Sequence, residues 1–138
     1  MAAQPTRVGT ALPASHRDLL DAAGVGVVAT IGRDDRPQVT AVWYLLDDDG
    51  VLKISVRADR QKAKNIARRP EVTFFLIDPA KPTRTLEVRA TAEITPDDDY
   101  AFADRVGAKY GADMRAFDQP EHRRLVVALR PDRVNSRD

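Results

Sequence analysis

Cysteine is absent from the 138 residues, which removes disulfides, thiolate catalysis and cysteine-based metal sites at once. Histidine is nearly absent. His16 and His122 stand alone, one near the N-terminus and one close to a proline, without the spacing of a triad or a metal site. Both are expected at the surface. An excess of one charge is also missing: 22 basic residues face 21 acidic ones, a net charge of +1. That balance excludes a general polyanion binder, so nucleic acid is not an expected partner and any basic patch must be local. No apolar run approaches membrane-spanning length, and MAAQPTRVGT lacks the apolar core of a signal peptide. A cytoplasmic protein without membrane contact is the expectation. The chain carries no G-x-S-x-G, G-x-x-x-x-G-K or G-x-G-x-x-G, so neither a serine hydrolase nor a nucleotide-binding loop is supported. Asp47-Asp48-Asp49 lacks the closing glutamate of a calcium loop and reads as hairpin turn chemistry. No metal is expected.

What remains is a succession of strands and turns. Residues 1–13 show no periodicity and read as a flexible tail ahead of a single domain over 14–138. Ser15 is placed to cap a short helix through Leu19, Leu20 and Ala23, ending at Gly24. Val25–Ile31 is apolar on both faces, as in a strand of a closed or doubly covered sheet. Gln38–Leu46 and Val51–Arg57 form a hairpin around an Asp-Gly turn. Val72–Ile77 follows a helix stopped by Pro70. Arg84–Ile94 then alternates, with Leu86, Val88, Ala90, Ala92 and Ile94 on one face. Thr95-Pro96-Asp97-Asp98 has the pattern of a helix start, with the helix running to about Tyr110. A last strand spans Leu125–Arg130 before Pro131. Six strands with short links and two to three short helices predict a mainly β protein, a small six-stranded antiparallel barrel. Trp43 and Tyr44 are neighbours on a strand, so they face opposite ways, and one of them is expected in the core.

One segment breaks local charge rules. DRQKAKNIARRP (59–70) reads as a helix capped by Asp59, with Ala63, Ile66 and Ala67 on its apolar underside. It places Arg60 and Lys62 in the first turn, where unpaired N–H groups already carry partial positive charge. The preceding strand delivers Ser55 and Arg57 to the same end. Backbone donors, a hydroxyl and two or three cations converging there describe a phosphate-type site. Rules broken without local compensation are where function is expected.

GVGVVATI, the turn to RPQVTAVWY, the strand ISV, and R-x-K-x-x-N (Arg60, Lys62, Asn65) followed by RRP resemble the pyridoxamine-phosphate-oxidase-like split-barrel flavoproteins. Within them the chain is similar to the actinobacterial flavin/deazaflavin oxidoreductases, the branch of coenzyme F-420-dependent enzymes. The resemblance runs over residues 15–134. It implies an FMN-binding type of split β-barrel, assembled as a homodimer with cofactor sites at the interface. It implies that Arg60 and Lys62 grip the cofactor phosphate, with Ser55 and the second-strand residues Gln38 and Thr40 beside them. Thr83–Leu86 of a partner chain and the 110–120 segment would close the pocket. With no thiol, triad or metal cluster, the cofactor must carry the hard chemistry. Coenzyme F-420 is the expected cofactor, with hydride passing to a small electron-poor acceptor, a conjugated alkene, enone, quinone or tetrapyrrole. FMN chemistry on the same fold and a non-catalytic flavin- or haem-binding module are the alternatives.

Overall fold

The computed structural model describes residues 6–138; residues 1–5 of the expected tail lie outside the described residues. Among the described residues there are eight strands: β1 (Arg7–Gly9), β2 (Gly26–Ile31), β3 (Pro37–Val42), β4 (Leu45–Leu46), β5 (Leu52–Arg57), β6 (Glu71–Ile77), β7 (Thr85–Pro96) and β8 (Arg124–Arg137). Three α-helices accompany them: α1 (Arg17–Asp21), α2 (Gln61–Arg68) and α3 (Ala101–Tyr110). The strands form one curled antiparallel sheet in the order β3-β2-β6-β7-β8-β5-β4, with β1 added beside β8. This is the mainly β half-barrel that the alternation predicts.

The strand count rises from six to eight for two reasons. Arg7–Gly9, in the segment expected to be a tail, pairs with Val134–Ser136. The expected strand over Gln38–Leu46 is interrupted at Trp43-Tyr44. There the Tyr44 N–H is taken by the Tyr110 hydroxyl (3.1 Å) and the Tyr44 carbonyl accepts from Lys109 Nζ (2.7 Å). Backbone groups bonded to the end of α3 are not available to a ladder. The last strand also passes through Pro131 to Arg137. Pro131 has no N–H to donate, and the register shifts between Arg89 and Ala90, opposite it, as a bulge permits.

The starts of α1 and α3 differ from expectation. Ser15 does not cap α1; its hydroxyl meets His16 Nδ1 at 2.8 Å, inside a single 3-10 turn over Ala14–His16. Thr95-Pro96 stays in β7, and α3 begins at Ala101. Asp97 is buried and accepts from the N–H groups of Phe102 (3.1 Å) and Ala103 (2.9 Å), a cap supplied from before the helix. Neither histidine is a plain surface residue. His16 is buried, donating from Nε2 to the carbonyl of Arg137 (3.0 Å). His122 is half-buried and accepts the Gln119 N–H at Nδ1 (2.8 Å).

The core follows the alternation. Leu86, Val88, Ala90 and Ala92 of β7 face Ile54 and Val56 of β5, Phe74 of β6 and Leu129 of β8. Gly26 admits Phe74 here: a Cβ at that position would fall 2.5 Å from the ring. A second, smaller cluster packs Phe102, Ala103 and Val106 of α3 against Met114, with Trp43 alongside. Tyr44 goes to the main core and Trp43 to the second cluster, as opposite-facing neighbours must. The junction between the two clusters is where the candidate site lies.

Candidate functional site

The helix of the unusual segment spans Gln61–Arg68, with Arg60 at the N-cap. Asp59 does not cap it. The Arg57 guanidinium claims both Asp59 oxygens instead, Nε to Oδ1 and Nη2 to Oδ2, each at 3.0 Å. No side chain caps α2 and no acidic residue stands in its first turn. Partial positive charge at the helix start is therefore left without a protein anion. The buried underside also differs from the periodic reading. Ala63 and Ile66 are buried as expected, but Ala67 is exposed and Asn65 takes the third place, at 1% exposure.

A cavity of about 590 Å³ opens at this helix start. Six of the seven candidate residues line it: Gln38 and Thr40 from β3, Ser55 and Arg57 from β5, and Arg60 and Lys62 from α2. Strand alternation explains the pairs, since residues two apart share a face. Asn65, the seventh, stands behind the wall. Its Nδ2 donates to Thr30 Oγ1 (3.0 Å) and Gln38 Oε1 (3.1 Å), and its Oδ1 accepts from Gln61 Nε2 (2.9 Å). A buried amide satisfied in this way orients its neighbours. Anchoring Gln38 at Oε1 leaves its Nε2 hydrogens as donors on the cavity wall.

The charges on the wall are unbalanced. Arg57 is neutralised by Asp59, and Arg124 of β8, which also lines the cavity, by Asp118. Arg60 and Lys62 have no carboxylate partner among the described residues; Lys62 Nζ reaches only Thr40 Oγ1, at 3.3 Å. Burial, then the positive charges of Arg60 and Arg124, push the Lys62 ammonium below its usual pKa. An anion in the cavity would relieve that repulsion. Ser55 supplies a second sign of a missing ligand. Its Oγ is buried without a hydrogen-bond partner, the one such side-chain atom among the described residues. Orphaned buried hydroxyls are rare because each costs about 1–3 kcal/mol. Two unneutralised cations, open helix N–H groups, a donor amide and an unpaired hydroxyl together fit a phosphate.

The other end of the cavity is apolar. Val42, Trp43, Met114 and Phe117 form it, with the Trp43 ring stacked on Tyr110 at 4.5 Å and 9°. Met114 and Phe117 belong to the 110–120 segment of the same chain, whereas Thr83–Leu86 stays away from this cavity within the chain. Two tyrosines close by are committed elsewhere. The Tyr44 hydroxyl donates to the Leu19 carbonyl (2.7 Å) and the Tyr110 hydroxyl to the Gly24 carbonyl (2.7 Å). Burial, reinforced by Tyr110, pushes Tyr44 up to about 12, and burial raises Tyr110 as well. Neither is placed to give up a proton in the cavity. Met114, Phe117 and Arg124 were invisible to local sequence reasoning. Arg124 reaches the site through the β5–β8 ladder, and Met114 and Phe117 through a 3-10 turn over Met114–Phe117.

Comparisons with known proteins give the family and the fold. Residues 12–138 match the family model described as pyridoxamine 5'-phosphate oxidase. Among solved structures, an F-420 reductase is 33% identical with a TM-score of 0.77, covering 89% of this chain and 98% of its own. A conserved hypothetical protein from Mycobacterium tuberculosis is 26% identical with a TM-score of 0.74, over 94% of this chain and 86% of its own. A heme binding protein from Mycobacterium smegmatis, 21% identical over 89% of this chain and 53% of its own, shares the fold with a TM-score of 0.66.

Proposed function

We propose, from a chain that belongs to the pyridoxamine 5'-phosphate oxidase family, that the cavity at the head of α2 binds coenzyme F-420. In this reading the protein is an F-420-dependent oxidoreductase. The observation that carries it is the phosphate-type end: Arg60 and Lys62 without carboxylates, beside the orphaned Ser55 Oγ. Likeness to an F-420 reductase at 33% identity favours the deazaflavin over FMN, which the same phosphate end would also accept. A haem-binding module is the weaker reading, because neither His16 nor His122 lines the cavity.

When bound, the reduced deazaflavin supplies a hydride and not single electrons. Arg60, Lys62 and the first N–H groups of α2 hold the phosphate. Ser55 Oγ and the Gln38 amide donate beside them, and Asn65 keeps Gln38 in place. Trp43, Met114 and Phe117 offer an apolar wall that excludes water from the ring end. That wall suits a small electron-poor acceptor such as a conjugated alkene, enone, quinone or tetrapyrrole. The test is anaerobic reoxidation of reduced F-420 by a quinone or an enone. Protein-dependent oxidation supports the reading; no acceleration with any acceptor of these classes removes it.

The same reading includes a homodimer. Val39 (61% exposed), Val25 (62%) and Ile77 (50%) lie outside the barrel. The ladder pairs Val39 with Ala29, Ala41 with Val27, and Val27 with Phe75, so these residues continue one apolar outer face. Ala41 also borders the cavity, so a second copy seated on this face would adjoin the ligand. Light scattering is expected to give a dimer at micromolar concentration, and Val39→Asp a monomer with weakened cofactor binding. A wild-type monomer that still binds cofactor tightly would contradict the assembly.

A further inference from the structure

Arg124 stands at the start of β8, directly across the ladder from Arg57. Like charges facing each other across a strand pair repel. Here each guanidinium has its own carboxylate, but the two pairs differ in setting. Asp59, the partner of Arg57, is 49% exposed, whereas the Arg124 and Asp118 side chains are 8% and 3% exposed. Burying an ion pair carries a desolvation cost that two apolar residues would avoid. Asp118 is held in turn by the Tyr100 hydroxyl at 2.7 Å. Tyr100 sits at φ 62°, left-handed backbone that strains any residue but glycine. Desolvation at one residue and strain at another thus combine to fix a single guanidinium.

That guanidinium keeps donors in reserve. Arginine has five N–H donors, and Asp118 takes one from Nε (2.7 Å) and one from Nη2 (2.8 Å). Nη1 has no protein partner among the described residues, and the side chain lines the cavity with Lys62 and Ser55. Arg124 is near enough to Lys62 for its charge to contribute to the lowered ammonium pKa. A pair that served packing alone would have no reason to face two other cations.

The geometry points to Arg124 as a third cation of the anion site, contacting the ligand's phosphate through Nη1, with Asp118 and Tyr100 as positioning residues that aim it. This rests on the cofactor reading above. It adds a residue that lies outside the R-x-K-x-x-N segment and outside β3 and β5.

The test compares ligands with and without the phosphate: FMN against riboflavin, which differ in that group alone, and F-420 against the phosphate-free deazariboflavin, which also lacks the anionic tail beyond the phosphate, with the FMN pair deciding wherever the wild type binds it. Arg124→Gln alone would strand a buried Asp118, so it is made together with Asp118→Asn; Tyr100→Phe is made separately. The double variant is expected to bind the phosphate-bearing ligand about tenfold or more weakly, with the phosphate-free ligand nearly unchanged. Tyr100→Phe is expected to lose about threefold, again only with the phosphate present. Unchanged affinity in the double variant, or equal losses for both ligands, overturns the assignment. If the double variant does not fold, Tyr100→Phe decides: no phosphate-dependent loss there also overturns it. Lys62→Ala measured alongside separates the two levels. A loss with Lys62→Ala but none at Arg124 removes this inference alone, and no loss with either removes the phosphate site itself.

Discussion

Alanine at both Arg60 and Lys62 is expected to weaken binding of F-420 or FMN by roughly a hundredfold or more while leaving the fold intact. Lys62 alone accounts for one charge-assisted contact, worth ~1.5–3 kcal/mol or about one to two decades of affinity. Stability should hold because neither cation has a carboxylate partner among the described residues, Lys62 makes only a 3.3 Å bond to Thr40 Oγ1, and it sits in the first turn of α2 where positive charge is unfavourable. A melting curve at least as high as the wild type, beside a large loss in a fluorescence titration, is the expected pair of results. A fall in stability with unchanged affinity would return these residues to the solvent. Ile66→Asp supplies the contrast, since it breaks the buried underside of α2 and lowers stability first.

Asp47→Asn is expected to cost about 1.5–3 kcal/mol of folding stability, the worth of hydrogen bonds to a charged group, since Lys53 keeps Asp49 as a partner and Arg105 is half exposed. Asp47 is only 8% exposed. It accepts from Arg105 Nη1 (2.6 Å) and Lys53 Nζ (2.8 Å), joining the β4–β5 hairpin to α3. Arg105, with Lys53 also contributing, holds its carboxyl well below the usual carboxylate range. A depressed folded pKa means that, as acid is added, the unfolded chain takes up the proton first. The stabilisation is therefore complete above the ordinary carboxylate value of 3.8 and is lost as the pH falls below it. Denaturation curves collected from neutral pH into acid should show a steep loss for the wild type and a shallower one for Asp47→Asn. Parallel curves would mean that Asp47 does not contribute as an ion.

The barrel was legible because its strands alternate and its turns carry Asp-Gly and Pro signals. The Leu86–Ala92 face and the Val51–Arg57 return strand appear where periodicity places them. Departures occurred where a distant group captured a backbone or side-chain atom. Tyr110 and Lys109 take Tyr44 out of the ladder, and Arg57 takes Asp59 away from the cap of α2. His16 is buried where its Nε2 meets the Arg137 carbonyl at the end of β8, a contact between distant parts of the chain that no local pattern signals. In the site, R-x-K and Ser55 were readable as unsatisfied chemistry, and the structure brings them to one cavity. Asn65 was assigned to ligand contact and proves to brace Gln38 and Thr30 instead. Arg124 was unreadable, because only the β5–β8 register brings it to the cavity, whereas Met114 and Phe117 lie in the 110–120 segment that the family resemblance, and no local pattern, had pointed to.

Equilibrium titration of F-420 and FMN side by side into the purified wild-type protein tests the central claim most directly. The account predicts saturable one-per-chain binding of F-420, tighter than FMN, with both weakened by added inorganic phosphate competing at Arg60 and Lys62. Failure of F-420 to bind, FMN binding more tightly than F-420, or binding that is indifferent to phosphate, would contradict it.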